Sequence, residues 1–151
     1  MFNPERYRSF ISLALAIVAM FIVGCSSVSE EPTPAYTPDQ IALIEQYQTD
    51  LEGLRTRMGE IPALIAQKDW TNVRNLVHGP LGDLRFKMLT IAKNLSSSDQ
   101  TKARDLSGEV FKYLVAVDAA AQDQNQERAF AGYDQLIATY KQFIDTIPER
   151  S

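Results

Sequence analysis

The sequence is poor in the side chains that most enzymes and metalloproteins use. Its 151 residues contain one cysteine, one histidine and one tryptophan. A single cysteine excludes an internal disulfide, and any metal cluster or histidine-based triad would have to use His78. Nucleotide-binding loops and nucleophile elbows are also missing. We therefore expect no catalytic residues, no metal site and no cofactor, and we do not expect an enzyme.

The chain also lacks an excess of positive charge, with 15 Lys and Arg against 19 Asp and Glu. Nucleic acid is not an expected partner, because its phosphates require a dense basic face. The charge is unevenly distributed, however. Residues 55–104, here called the basic middle segment, carry nine Lys and Arg against four acids, and both flanks are acidic. This segment indicates either a docking face or opposite charges that line neighbouring helices.

An apolar run over residues 10–23 opens the chain, after two arginines and before Gly24 and Cys25. This layout is typical of a secretory signal peptide. Its end resembles the bacterial lipobox, in which the cysteine is acylated and becomes the first residue, although Ile22 stands where that motif usually has Leu. The alternative is a retained transmembrane helix, but the run is short against the roughly 20 residues that a spanning helix needs. We predict that residues 1–24 are cleaved and that Cys25 is the lipidation site.

Residues 25–36 are polar, contain two prolines and show no apolar period, which predicts a flexible tether. Over residues 37–151 the apolar residues recur at alternating intervals of three and four, as in amphipathic helices. Four such segments with short connections, and no strand-like alternation, predict an all-α domain. The expected architecture is an up-down-up-down four-helix bundle.

Capping and helix-breaking residues predict where the helices begin and end. Capping boxes are predicted at residues 37–40 and 97–100, and Asp69 is predicted to cap the second helix. Pro62 predicts that the first helix ends or bends near residues 59–61. The second helix is expected to bend or restart at residues 78–80, with His78 exposed or hydrogen-bonded at the bend.

An acidic, amide-rich segment follows the third helix and is predicted to be a turn. Asp123, Asn125 and Glu127 are spaced like the first ligands of an EF-hand loop. The position that requires glycine is Arg128, however, and the last ligand position is Asp134 instead of glutamate. Helix capping explains these acids better than calcium binding.

Two stretches in the middle of the chain carry a family resemblance. They are residues 78–85, HGPLGDLR, and residues 118–125, DAAAQDQN. Asp69-Trp70, Met88-Leu89 and residues 109–111 fit the same pattern. Together with the lipobox, these segments resemble the cyanobacterial PsbQ-like (CyanoQ) family, which are extrinsic lipoproteins of photosystem II.

The resemblance implies a four-helix bundle that is lipid-anchored on the lumenal side of the thylakoid membrane. It implies association with the photosystem II core and other extrinsic lumenal subunits, and stabilisation of the oxygen-evolving complex without enzymatic activity. Loss of such a protein is expected to be felt mainly when calcium or chloride is scarce.

Docking is predicted to use the basic middle segment. Five of its cations lie between apolar stripe positions and are expected to face outward, and the residues of the predicted bend are expected to join them. The predicted partner-binding residues are Arg74, His78, Gly79, Pro80, Arg85, Lys87, Lys93 and Lys102. The alternative, from another functional class, is a periplasmic or lumenal lipoprotein bundle that binds a metal or small ligand through His78 and nearby carboxylates.

Overall fold

The computed structural model describes residues 36–148, and within that range every regular element is an α-helix. The all-α prediction is therefore confirmed for this part of the chain. The predicted signal peptide, nearly all of the predicted tether and the alternative membrane-spanning segment lie outside the described residues. Within residues 36–148 the helices are α1 (Pro38–Met58), α2 (Ile61–Ala66), α3 (Trp70–His78), α4 (Leu84–Asn94), α5 (Ser97–Gln122) and α6 (Gln126–Ile144).

Between residues 36 and 148, none of the helices combines the length and the apolar character that crossing a membrane requires.

Helix α1 begins with the predicted capping box. The Thr37 hydroxyl accepts a hydrogen bond from the Gln40 backbone N–H at 3.2 Å, and the Gln40 side-chain oxygen accepts one from the Thr37 N–H at 2.9 Å. These two bonds satisfy donors that a helix start leaves free. The helix ends at Met58, and α2 starts at Ile61 with Pro62 in its first turn. The predicted interruption by Pro62 is confirmed.

The connection between α2 and α3 is a tight reversal. Lys68 has a positive φ of 58°, and the following Asp69 N–H donates to the Leu64 carbonyl at 2.9 Å. The Asp69 carboxylate then accepts a hydrogen bond from the Asn72 N–H at 3.2 Å. Asp69 thus caps α3, as predicted, and the same residue closes α2.

The start of α5 differs from the prediction. The N-cap residue is Ser96, and its side chain makes no capping bond to the helix backbone. Its hydroxyl donates instead to the Asp99 carboxylate at 2.7 Å, while its N–H donates to the Tyr36 hydroxyl at 3.2 Å. The predicted capping box over residues 97–100 is wrong, because the hydroxyl before the helix is bonded to a side chain of the first turn.

Helices α5 and α6 are joined by the predicted turn. Gln124 has a positive φ of 53°, and the Asn125 side chain accepts a hydrogen bond from the Arg128 N–H at 3.0 Å. The Arg128 guanidinium also pairs with the Asp123 carboxylate at 2.8 Å. Ion pairing and capping therefore account for Asp123 and Asn125, and Arg128 occupies the position where a calcium loop requires glycine.

The predicted apolar stripes meet in one core, with partly buried aromatic residues such as Tyr47, Tyr113 and Tyr133 at its edge. Helix α5 packs against α3, α4 and α6, while α1 packs against α4, and α2 against α3 and α6. The fully buried large side chains are Leu51, Met58, Ile61, Ile65, Val73, Leu81, Leu84, Met88, Ile91, Val110, Leu136 and Phe143.

Two contacts bring α6 close to its neighbours. At Gly132 a Cβ atom would lie 3.2 Å from Val117 Cγ2, so the absence of a side chain allows α5 and α6 to approach closely. The buried Tyr140 hydroxyl donates a hydrogen bond to the Leu51 carbonyl at 2.9 Å and so links α6 to α1. Burial raises the pKa of the Tyr140 hydroxyl far above its ordinary value.

Replacing Tyr140 with Phe is expected to lower the free energy of unfolding at neutral pH by roughly 0.5–1.5 kcal/mol, because one buried hydrogen bond is lost. The raised pKa of Tyr140 also makes the free energy of unfolding depend on pH. Above about pH 10 tyrosine ionises in the unfolded chain while folded Tyr140 stays protonated, so the wild-type protein loses stability as pH rises. The Phe variant should lack this part of the alkaline loss. Urea unfolding between about pH 7 and 11 measures both effects.

Tyr113→Phe, at the edge of the core, is the matched control for removal of a phenol hydroxyl. Equal alkaline loss in the wild type and in Tyr140→Phe would contradict the assignment to Tyr140.

Candidate functional site

Residues 79–83, here called the helix break, separate α3 from α4. In a continuous helix the Leu76 carbonyl would accept from residue 80, but Pro80 has no N–H. The Leu81 N–H donates to that carbonyl instead, at 3.1 Å, and the Leu81 side chain is buried in the core. The predicted interruption is therefore confirmed, and the chain restarts as α4 at Leu84.

Gly79 ends α3 in a non-helical backbone conformation, with φ of −94° and ψ of −101°. Its N–H donates to the Asn75 carbonyl at 2.9 Å, and a Cβ atom on this residue would lie only 2.7 Å from that same carbonyl oxygen. Real Cβ atoms essentially never come so close to backbone. A glycine is thus required here, because residue 79 lies so close to the Asn75 carbonyl in the last turn of α3.

A polar cluster fastens the end of α3 to α5. Asp118 Oδ1 accepts a hydrogen bond from Arg74 Nε at 3.1 Å and lies 2.9 Å from His78 Nε2. The Asp118 side chain is 19% exposed, whereas those of Arg74 and His78 are 43% and 62% exposed. Such solvent-accessible pairs stabilise a fold by only about 0–1 kcal/mol each. The prediction that His78 is an exposed or hydrogen-bonded polar group is confirmed.

The surroundings of His78 do not favour a metal ion. Among residues 36–148, no group of three His, Cys, Asp or Glu side chains is placed to hold one. The Asp118 oxygen that contacts His78 is shared with the Arg74 guanidinium, whose positive charge would repel a cation. The alternative of a metal-binding bundle therefore gains no support from this geometry.

An open polar groove lies beside the cluster. It runs along α3 beside the end of α5, and the contact between His78 and Asp118 brings the two segments that carry the family resemblance together there. A groove of this kind suits contact with a protein surface better than enclosure of a small apolar ligand. Its lining residues include Trp70, Thr71, Asn75, His78, Gln122 and Gln124.

Helix α4 contains three of the predicted docking cations and no acid. Arg85 and Lys93 are exposed, and the Arg85 guanidinium carbon lies 4.8 Å from the centroid of the Phe111 ring. The expected outward orientation is wrong for Lys87, which is only 21% exposed because its ammonium donates to the Asp50 carboxylate at 2.6 Å. That hydrogen bond also raises the pKa of Lys87.

The remaining predicted cations lie elsewhere. Arg74 belongs to the polar cluster and is partly neutralised by Asp118. Lys102 is exposed near the start of α5, in a surface depression that Tyr36 and Asp145 also line. The structure therefore places the predicted cations in the polar cluster on α3, along α4 and near the start of α5.

Sequence reasoning missed three side chains of these surfaces. Asp118 and Asp50 hold Arg74 and Lys87, respectively, from helices distant in sequence, and no local pattern shows such pairings. Phe86 is 63% exposed. Its exposure could have been predicted from the sequence, since Phe86 is a large apolar residue that lies between the apolar stripe positions of α4.

The chain is similar to known proteins over nearly its whole length. The family model PsbQ, described as oxygen evolving enhancer protein 3, matches residues 5–148. CyanoQ from Synechocystis sp. (strain ATCC 27184 / PCC 6803 / Kazusa) is 37% identical over 148 residues, which cover 97% of this chain and 99% of that protein. Both matches extend through the helix break, α4 and the polar cluster.

Gly79→Ala is expected to destabilise the protein by about 1–3 kcal/mol, because the new Cβ atom would force the helix break to rearrange. Gly108→Ala is the matched control, since nothing lies within 4 Å of a Cβ at that helical position. It should stabilise the protein by about 0.5–1 kcal/mol. Urea unfolding of both variants measures the contrast, and equal effects of the same sign would contradict the steric role of Gly79.

Proposed function

The chain belongs to the PsbQ family of oxygen-evolving enhancer proteins, and we propose that it is an extrinsic, lumenal subunit of photosystem II. In this role it stabilises the oxygen-evolving complex and supports water oxidation, and its loss is felt mainly when calcium or chloride is scarce. The observation that carries the proposal is the family match over nearly the whole chain. The protein acts by contact and not by catalysis.

The proposed architecture is a four-helix bundle in which α3 and α4 form one interrupted helix. The packing of α1 on α4, of α3 and α4 on α5, of α5 on α6, and of α6 on α2 supports this order around a shared core. The hydrogen bond from Tyr140 of α6 to Leu51 of α1 supports closure of the bundle.

The proposed anchor is a lipid on Cys25, joined to the domain by a tether over residues 25–36. An extended chain spans at most about 3.3–3.6 Å per residue, so this tether reaches roughly 40 Å. Confinement near the membrane raises the effective concentration of the domain at its partner, which offsets a modest intrinsic affinity. The lipobox-like end of the apolar run supports this anchor.

The proposed docking surface combines the helix break with the exposed cations of the basic middle segment. Asp118 and Asp50 pair with Arg74 and Lys87, so the cations of α3 and α4 that attract a negative partner surface are chiefly Arg85 and Lys93, which are exposed. His78, Gly79 and Pro80 are exposed beside this stretch and supply a polar contact. Exposed ion pairs are individually weak, about 0–1 kcal/mol, so several must act together, and their sum should fall as salt rises.

Cys25→Ser is expected to remove the acylation site and to release the domain from the membrane into the soluble lumenal fraction. Membrane fractionation after a high-salt wash, which removes proteins held by charge alone, measures this. Retention of the serine variant in the washed membrane would show that the anchor lies elsewhere, most directly in an uncleaved helix over residues 10–23.

Simultaneous reversal of Arg85, Lys93 and Lys102 to Glu is expected to reduce recovery of the chain with isolated photosystem II. Lys87 is left unchanged, because a glutamate there would lie against Asp50 and confuse lost docking with lost stability. The measurement is the amount of chain recovered with affinity-purified photosystem II at two salt concentrations.

The matched control reverses three exposed cations of α5 and α6, namely Lys112, Arg128 and Lys141. Because Arg128 and Lys141 each pair with a carboxylate, circular dichroism must first show that this variant is folded. It changes the net charge equally but lies outside the basic middle segment. Equal recovery of the two triple variants would contradict the proposed basic surface, whereas the family membership would stand.

A further inference from the structure

An aromatic patch lies on the outer surface of α1, α4 and α5, with Tyr47 at the edge of the core and the other members more exposed. Phe86 of α4 is 63% exposed, and Phe111 and Val115 of α5 are 39% and 49% exposed. The Phe86 ring stands edge-on to the Tyr47 ring of α1, with centroids 6.4 Å apart. We call Tyr47, Phe86, Phe111 and Val115 the aromatic patch. Large apolar side chains left together in solvent mark contact sites.

Arg85 joins the two halves of this patch. It directly precedes Phe86, and its guanidinium carbon lies 4.8 Å from the Phe111 centroid, the geometry of a cation–π contact. Val115 follows Phe111 by one helical turn. An aromatic group beside a stacked arginine is the composition typical of the energetic centre of a protein interface.

The patch is held in place before any partner binds. Tyr47 supports Phe86 from one side, and the Lys87 ammonium lies 5.6 Å from the Tyr47 centroid while it is bonded to Asp50. Ordering a flexible side chain at an interface costs about 0.5–1.5 kcal/mol. Because these rings are already packed, the patch avoids part of that loss on binding.

The charge around the patch determines which partner fits. Helix α4 is purely cationic, and within residues 36–148 neither Arg85 nor Lys93 forms an ion pair with a carboxylate, in contrast to Lys87. These two positive charges are therefore free to meet negative charges on another molecule. A partner with carboxylates around an apolar depression matches both features.

We propose that the aromatic patch is the apolar centre of the docking surface, and that its occupant is an acidic protein surface of photosystem II with an apolar depression for Phe86. This inference rests on the proposed function and assigns its binding centre. It goes beyond charge, because it predicts that uncharged substitutions at two aromatic residues abolish docking while every cation is kept.

The test is the recovery of the full, acylated chain with affinity-purified photosystem II from detergent extracts. The double variant Phe86→Ser and Phe111→Ser should reduce recovery by at least about tenfold, as expected when interface hot spots are truncated. Ile41→Ser is the matched control, since Ile41 of α1 is also exposed, at 40%, but does not belong to the patch. It should bind like the wild type.

A photo-crosslinking aromatic residue at position 86 provides a second measurement that keeps the bulk of the side chain. It should crosslink to a lumenal photosystem II protein, while the same residue at the exposed position 142 of α6 should not. This readout stays decisive if the double serine variant fails to fold, which circular dichroism will show.

The outcomes separate the two proposals. If the wild-type chain does not associate with photosystem II, the proposed function fails and this inference fails with it. If the wild type binds and the folded serine variant binds equally well, only the aromatic patch is refuted. A crosslink from position 86 to a second copy of the chain, or patch-dependent binding to vesicles of anionic lipid, would also overturn the acidic protein surface as occupant.

Discussion

Pro80 has no N–H to donate to the Leu76 carbonyl, and the neighbouring Leu81 N–H takes that bond while its side chain enters the core. The positions of the polar cluster and of the cations on α4 depend on this replacement of one hydrogen-bond donor by the next residue's. By ending α3 at His78, the helix break leaves the imidazole beside Asp118 of α5. By restarting the helix at Leu84, it sets the rotation of α4 so that its apolar stripe is buried and its cations lie outside or at the edge.

Much of the fold was predictable, because the period of the apolar residues and the capping residues at the ends indicate helices in the sequence. The core stripes, the interruption at Pro62 and the cap at Asp69 follow from spacing and from local hydrogen-bonding chemistry, and all agree with the structure. The start of α5 was misassigned by one residue, since the Ser96 hydroxyl bonds to a side chain instead of to the helix backbone. Local rules cannot choose among three serines in succession when a neighbouring carboxylate competes for the hydroxyl.

The surface was less predictable than the core. Outward orientation of a lysine was inferred from its place between stripe positions, but Lys87 has a long stem that reaches across to Asp50 of α1. Exposure of a cation depends on which carboxylates the packing of other helices brings near it. The same limit applies to Arg74 and Asp118, which lie on α3 and α5. Arg85 and Lys93 keep their charges available because none of the described neighbours offers a paired carboxylate.

We propose a protein that works through one face. Among residues 36–148 the single histidine contacts Asp118 at the end of α3, whereas Arg85, Phe86 and Lys93 of α4 are exposed. Stoichiometry tests this account most directly. Quantitative mass spectrometry of photosystem II, isolated in mild detergent at low salt, should find the chain in a fixed ratio to the core subunits and should find it depleted after a high-salt wash. Absence of the chain from those particles at low salt would contradict the account.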